Sequence, residues 1–574
     1  MAGSGRLGVV AATLAVTISG VLAAGAMTDP DSREPGPPAA YGERPPATPG
    51  QPAGADGPDG PADIVLILMD DFSLELLATM PHAQRMAAEG ATYDNAFVVD
   101  SLCCPSRAAM ATGQLPHQTG VLTNTPNDPE DPIGGYEAFV AHGNEQRQFS
   151  VTLQDADYRT GFVGKFLNGY RGESVAGVEL PAPKVPGWSD WQALSGAAYN
   201  GWDFQSTYLD ADGEVQVQEH PKPPLSAPAR RRDRAYATTV TARKAVEFLK
   251  EQRPGDPPYF LEVATYAPHS SMAAAYPGGT QFPAAFRDRP PRGGPTGGNC
   301  GTRPCGELAL EDLVGYDDPR EDNAPTYLLP DGSTAPAPPW RTNEITLTDQ
   351  QALTRYRDRA RMVQSVDRLV QRVRKAAGPD AYVFLTSDNG FHLGQHQLNG
   401  GKGTPYDSDS RVPLVVVGPG VVPGTRHQFV SNIDLAPTFE ELAGVRTPRF
   451  RSGRSFAATL SRPEAPGARY AFFEHTYAKS QPGEVDTDEG SGGTIDLIPS
   501  FVAVRGERGL LVRLDLDPSW TGVDPAFELY RYDRPWEDVN VFAQDHDKPY
   551  ARDLMRRLLR LDGCRPAQCR AAVR

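Results

Sequence analysis

Four stretches of the chain run almost continuously apolar and then stop abruptly. Residues 62–69 end before Asp70-Asp71, 259–265 before Pro268-His269, 381–387 before Asp388-Asn389, and 412–417 before Gly418-Pro419-Gly420. Apolar runs without polar alternation suit strands buried on both faces, as in a parallel sheet covered by helices. Shorter strand patterns occupy 92–99 and 161–165. Helical spacing fills 74–88, 148–156, 235–252 and 431–444, the last with Asp434 near its start. The strongest helix spans 348–377, where Met362, Val363, Val366, Leu369, Val370 and Val373 form one apolar face and Gly378-Pro379 ends it. This alternation predicts an α/β layered domain with a largely parallel sheet.

The pattern changes near residue 465. Residues 470–477, 501–514 and 527–530 read as antiparallel strands, with Gly506 and Gly509 marking a hairpin. A closing helix is expected over 547–561, with Asp547 as its cap and Pro549 in its first turn. The expected layout is therefore a main domain over 62–464 and a small α+β subdomain over 465–574. Two stretches resist assignment: 171–233 reads as irregular, and 270–345, rich in Pro and Gly, as a wrap over the surface. The cluster Arg230-Arg231-Arg232-Asp233-Arg234 reads as a solvated loop before a helix, with a grip on a polyanion as the functional alternative.

Residues 1–26 have the form of a secretory signal: Arg6, an apolar stretch over 7–22, and Ala24-Gly25-Ala26 as a small-residue cleavage pattern. The stretch nearly reaches spanning length, so a retained anchor is the alternative; its small residues and Gly20 favour secretion without stable membrane insertion. Residues 27–61, rich in Pro, Gly and Ala, form an expected linker. Export agrees with the cysteines, because Cys300 with Cys305 and Cys564 with Cys569 are spaced to close small disulfides. The formal net charge of -16 argues against nucleic acid as a partner.

The remaining cysteines stand together in Cys103-Cys104-Pro105-Ser106-Arg107, with Thr112-Gly113 after them. Pro105 suits a first helical turn, so Cys103 is expected at a helix N-terminus, where backbone N–H groups favour anions. Arg107 adds a permanent charge. The bland alternative is a buried structural cysteine pair. Asp70-Asp71 and Asp388-Asn389 both follow strands, and in such sheets ligands gather beyond the strands' carboxyl ends. Carboxylates plus an amide suit Ca²⁺ better than zinc, although Asp and Asn also serve as turn and cap residues.

Taken together these motifs resemble the type I sulfatases, in which the first cysteine of Cys-x-Pro-Ser-Arg is oxidised to formylglycine. The resemblance implies an alkaline-phosphatase-like layered domain with a large mixed, mostly parallel sheet, plus a small C-terminal α+β subdomain with an antiparallel sheet. It implies Ca²⁺ held by Asp70, Asp71, Asp388, Asn389 and the residue made from Cys103. Arg107, Lys165 and Lys402 match positions that grip sulfate, and His269 matches the group that protonates the leaving alkoxide. A formylglycine-generating enzyme would be the maturation partner. Ser431 to Thr438, and Glu528, Leu529 and Tyr530 through Asp533, Glu537 and Asn540, resemble further sulfatase landmarks.

Many arylsulfatases carry a histidine two residues after the lysine matching Lys165. Here Leu167 stands there, with Asn168 beside it. That departure and the doubled cysteine resemble the N-acetylglucosamine-6-sulfatase and extracellular heparan 6-O-endosulfatase branch. His392 becomes the candidate second base, with Asn168, His117 and His396 as candidate substrate contacts. The expected substrate is a sulfated carbohydrate or an aryl sulfate. The alternatives are a phosphonate monoester or phosphodiester hydrolase of the same fold, and a non-catalytic glycan-binding protein with unconverted cysteine.

Overall fold

A computed structural model describes residues 60–574 except 126–130, 171–173, 176–177, 180–181, 272, 292–293, 341–346, 477–497, 517–524 and 533–535. The expected signal segment, the linker up to residue 59, and Asp533 lie outside the described residues. Strands used below are numbered in chain order: β1 Asp63–Met69, β2 Ala91–Tyr93, β3 Arg159–Gly164, β4 Asp190–Gly196, β5 Phe204–Leu209, β6 Val215–His220, β7 Tyr259–Ala264, β8 Thr326–Leu328 and β9 Thr334–Pro336. They continue with β10 Ala381–Ser387, β11 Leu414–Val417, β12 Gly424–Arg426, β13 Tyr470–His475, β14 Ser500–Gly506, β15 Gly509–Asp515 and β16 Ala526–Arg531. The helices are α1 Pro81–Glu89, α2 Cys103–Thr112, α3 Ala237–Glu251, α4 Asp349–Ala377, α5 Leu435–Leu442 and α6 Pro549–Leu561.

A ten-stranded sheet has the order β12-β2-β11-β10-β1-β7-β3-β4-β5-β6. Its centre, β10-β1-β7-β3-β4, is parallel throughout. Both flanks contain antiparallel pairs, β11 against β10 on one side and β5 against β4 on the other. Along β1, Ile64, Leu66 and Leu68 pack into one core while Val65, Ile67 and Met69 pack into another on the opposite face. Burial of both faces is why the strand reads as one apolar run.

Helix α4 runs over its expected span. The Thr348 side chain accepts from the Gln351 N–H at its start, and Gly378 follows its end. The second sheet, in the order β9-β8-β16-β15-β14-β13, is antiparallel, and Gly506 pairs with Gly509 at its hairpin. Both expected disulfides, Cys300–Cys305 and Cys564–Cys569, are present.

Three expectations need correction. The segment 171–233 supplies β4, β5 and β6, the far flank of the large sheet. Cross-strand pairing decides there, because β6 is largely exposed and offers little apolar pattern. The stretch 270–345 contributes β8 and β9 to the second sheet. Helix α6 is preceded by Lys548, with no side-chain cap, so Asp547 does not hold its N-terminus.

Glu262 interrupts the apolar pattern of central strand β7. It lines a small cavity of about 20 Å³, together with Arg107, Gln148, Phe149, Leu167 and Trp188. The residue is only 6% exposed. Burial pushes its carboxyl up to about 7, with Arg107 working in the other direction. The unfolded chain therefore releases this proton at lower pH than the folded one, and stability falls as pH rises from roughly 4.5 to 7. Glu262→Gln is expected to match the parent near pH 4 and exceed it by about 3 kcal/mol near pH 8. Urea unfolding at the two pH values measures this, and equal differences at both would refute the assignment.

Candidate active site

Four neighbouring parallel strands deliver the site. Asp388 follows β10, Asp70 follows β1, His269 lies beyond β7 after the cis Ala267-Pro268 bond, and Lys165 follows β3. The strands end in register, with Met69 opposite Ser387, Leu68 opposite Ala264, and Ala264 opposite Gly164. Gly164 is required at its position: at φ +126° a Cβ would lie 1.7 Å from the Ala264 carbonyl oxygen. Asp71, at φ 56°, takes a left-handed turn that Asp tolerates better than most residues.

Cys103 is the first residue of α2 rather than the one before it, and Gly113 closes the helix in a left-handed cap. The cysteine motif is bound to the Asp388 turn at two points. The Ser106 hydroxyl donates to the Asp388 carbonyl, and Arg107 Nε donates to Asp388 Oδ2 at 2.8 Å. Arg107 reaches back along the helix, as helical side chains do, and also donates to the Lys165 carbonyl at 2.7 Å.

Cys103 Sγ lies 3.6 Å from Asp70 Oδ1 and 4.0 Å from Asp71 Oδ1. Two ammonium groups approach it, Lys402 Nζ at 2.8 Å and Lys165 Nζ at 3.2 Å. Lys165 Nζ also donates to both Asp70 oxygens at 2.8 Å, and Lys402 Nζ to Asp71 Oδ1 at 2.7 Å. His269 Nε2 is 3.5 Å from Asp71 Oδ2, while its Nδ1 lies 2.7 Å from the Ser270 carbonyl oxygen. All these groups are buried.

The electrostatics follow from burial and pairing. Burial pushes the Cys103 thiol well up, although Lys165 and Lys402 pull it down, so the thiol stays protonated and weakly nucleophilic. Burial would also raise Asp71, but His269, Lys402 and Lys165 together hold it below the usual carboxylate range. At Asp388 burial prevails over Arg107, and the carboxyl is pushed up to about 6. Desolvation opposes the charges on Arg107 and Lys165, yet the aspartates hold both above their ordinary values.

The residues fit a bound cation. Donor atoms of Asp70, Asp71, Cys103 and His269 lie within 4.8 Å of one another. Asn389 Oδ1 is buried with no hydrogen-bond partner among the described residues, while its Nδ2 donates to Asp71 Oδ1 at 2.7 Å. An orphaned carbonyl oxygen beside two carboxylates is oxygen chemistry suited to Ca²⁺. Asp388 stands at the edge of this group, with Oδ1 accepting from the Asp71 N–H and Oδ2 from Arg107.

The remaining candidates hold partners of their own. His392 is buried, with Nδ1 2.9 Å from both oxygens of Asp409, and its backbone pairs with Gly401 next to Lys402. Asn168 is half-buried and accepts from the Tyr199 hydroxyl at 3.3 Å. His117 lies past the far end of α2 from Cys103. Its Nδ1 is 2.8 Å from Glu474 and its Nε2 3.0 Å from the Cys564 carbonyl oxygen, so neither nitrogen is left for a substrate. His396 is likewise an internal tie, its nitrogens 3.2 Å from Asp318 and 3.7 Å from Glu537.

The sequence reading missed Arg359, Asp409 and Tyr199. Arg359 is fully buried on α4 and donates to the Asp71 carbonyl from beneath. Its position four residues before Val363, on the apolar face, was the available signal. Asp409 had no comparable pattern, and Tyr199 lies in the segment read as irregular.

The sulfatase family model matches residues 62–445, two strands' worth of metal candidates and the cysteine motif included. The chain belongs to the sulfatase family. It is 29% identical over 402 residues to the N-acetylglucosamine-6-sulfatase of Homo sapiens, covering 67% of this chain and 61% of that protein. The most similar curated relatives are longer, and the chain spans between 31% and 61% of their lengths. Among solved structures, BT4656 in complex with its substrate D-glucosamine-2-N,6-O-disulfate superposes with TM-score 0.58 at 20% identity, covering 89% of this sulfatase and 98% of that chain. The phosphonate monoester hydrolase SpPMH from Silicibacter pomeroyi superposes with TM-score 0.53 at 20% identity, covering 86% and 93%. Both show a shared fold.

Cation binding has a readout independent of turnover. A ligand that binds only the folded state at 100 times its Kd stabilises it by about 2.7 kcal/mol. Adding Ca²⁺ to the chelated protein is expected to raise Tm, and Asp71→Asn with Asn389→Ala to abolish most of that rise. An unchanged Tm across millimolar Ca²⁺ would count against the site.

Proposed function

We propose that this sulfatase hydrolyses sulfate monoesters of a carbohydrate of the N-acetylglucosamine 6-sulfate class. The observation that carries the reading is the pair of ammonium groups, at 2.8 and 3.2 Å, converging on Cys103 Sγ beside two aspartates. That arrangement is a buried anion site built around a reactive position, and the named activity of the human relative supplies the substrate class.

Conversion of Cys103 to formylglycine would supply an oxygen nucleophile, and Ca²⁺ held by Asp70, Asp71, Asn389 and Asp388 would neutralise the transferring group. The chain's own residues do the rest. Lys165, Lys402 and Arg107 hold the sulfate oxygens and stabilise charge as it develops, the largest contribution expected in such a transfer. Protonated His269 donates from Nε2 to the departing sugar oxygen. Asp409 holds Nδ1 of His392, leaving Nε2 as the atom that takes a proton when the site resets. Half-buried Asn168 contacts the sugar.

We assign the protein to the secreted class, with a formylglycine-generating enzyme as its maturation partner. The signal-like N-terminus and the two disulfides support export. Among the described residues no helix is long and apolar enough to cross a membrane.

Mass spectrometry of the tryptic peptide 86–107 is expected to show the aldehyde at Cys103, at lower mass than the thiol. Cys103→Ala should lower kcat/KM for N-acetylglucosamine 6-sulfate by about 10⁴-fold or more, with urea unfolding unchanged. Undiminished turnover would sink the mechanism. Faster cleavage of a phosphonate monoester than of any sulfate ester would favour the related hydrolase activity.

A further inference from the structure

The Tyr199 ring lies against the proposed leaving-group acid. Its centroid is 4.6 Å from that of the His269 imidazole, with the planes 54° apart. The imidazole is anchored at Nδ1, 2.7 Å from the Ser270 carbonyl oxygen, while Nε2 faces Asp71 at the longer distance of 3.5 Å. A neighbour packed against the ring face limits rotation of the imidazole.

Tyr199 is itself held on two sides. Its hydroxyl donates to Asn168 Oδ1 at 3.3 Å. The ring stands edge-on to Tyr266, centroids 4.6 Å apart at 88°, and the Tyr266 hydroxyl donates to the Leu194 carbonyl at 2.7 Å on β4. Edge-to-face aromatic pairs of this kind favour one orientation. Lys165 Nζ lies 5.1 Å from the Tyr199 centroid, which places the ring between the sulfate grip and the acid. Tyr199 is partly buried.

We infer that Tyr199 is a positioning residue for His269, fixing the imidazole so that Nε2 meets the oxygen of the departing alcohol. The assignment rests on the sulfatase reading and on His269 as its acid. The proton passes from Nε2 to the ester oxygen as the S–O bond breaks, and the neutral alcohol leaves. An alcohol needs that proton, whereas 4-nitrophenolate leaves without it. Loss of orientation therefore damages one substrate far more than the other, and a general loss of folding or sulfate binding damages both alike.

The test compares kcat/KM of the full, matured chain on N-acetylglucosamine 6-sulfate and 4-nitrophenyl sulfate. Tyr199→Ala is expected to lose about 10- to 100-fold on the sugar ester and less than about threefold on the aryl ester. The sugar-ester loss should fall mainly on kcat, and Tyr199→Phe, which keeps the ring, should recover most of it. Equal losses on both esters, or none on either, would overturn the inference while leaving the sulfatase reading intact. A parent protein that cleaves neither ester would overturn both.

Discussion

The site depends on a balance of buried charge. Asp70, Asp71 and Asp388 meet Arg107, Lys165 and Lys402 within a region closed to bulk water. Three carboxylates balance these three cations before any charge on His269 is counted, and such pairing is what permits so many charges to be buried together. The lysines also serve as counterions to the aspartates that would hold a cation. Adding a divalent ion shifts the sum to positive, since the ion's own charge dominates such a site. A sulfate monoester then restores much of the balance. In the arrangement shown, the lysines answer the carboxylates directly.

Backbone geometry makes that balance possible. Neighbouring parallel strands lie about 4.8 Å apart, so four that end in register present their following residues within one side chain's reach. Gly164 allows β3 to close against the Ala264 carbonyl, and the left-handed turn at Asp71 allows adjacent aspartates to approach one sulfur. Arg359 secures that turn from α4 by bonding its carbonyl. Ser106 and Arg107 secure the other side by binding α2 to Asp388. The motif is therefore a structural clamp, and its serine acts on backbone.

What could be read without coordinates follows from this division. Groups that come directly after buried strands, such as Asp70 and Asp388, were legible because the apolar runs announce both the strands and their ends. Lys165, Lys402 and His269 were legible only through the resemblance, since an isolated lysine or histidine carries no local signal. His117 and His396 look like any other loop histidine in sequence, and only the structure shows their internal partners. The segment 171–233 failed for another reason. Its strands lie on a half-exposed flank, where pairing to β4 and β5 decides conformation and leaves little periodicity behind.

The departure at Leu167 acquires a physical reason from its surroundings. Leu167 is 6% exposed and lines a small cavity with Phe149 and Trp188, and also with Arg107 and Lys165. An imidazole there would be buried beside two cations, and both effects disfavour its charged form. The proposed second base belongs instead to the loop after β10. There His392 is paired with Asp409, whose carboxylate also accepts from the backbone N–H and hydroxyl of Thr404 at 3.0 and 2.7 Å. Those bonds fix the Asp409 carboxyl group, which in turn holds the His392 ring at Nδ1. The Asn168 side is occupied by Tyr199, whose hydroxyl donates to Asn168 and whose ring packs against His269.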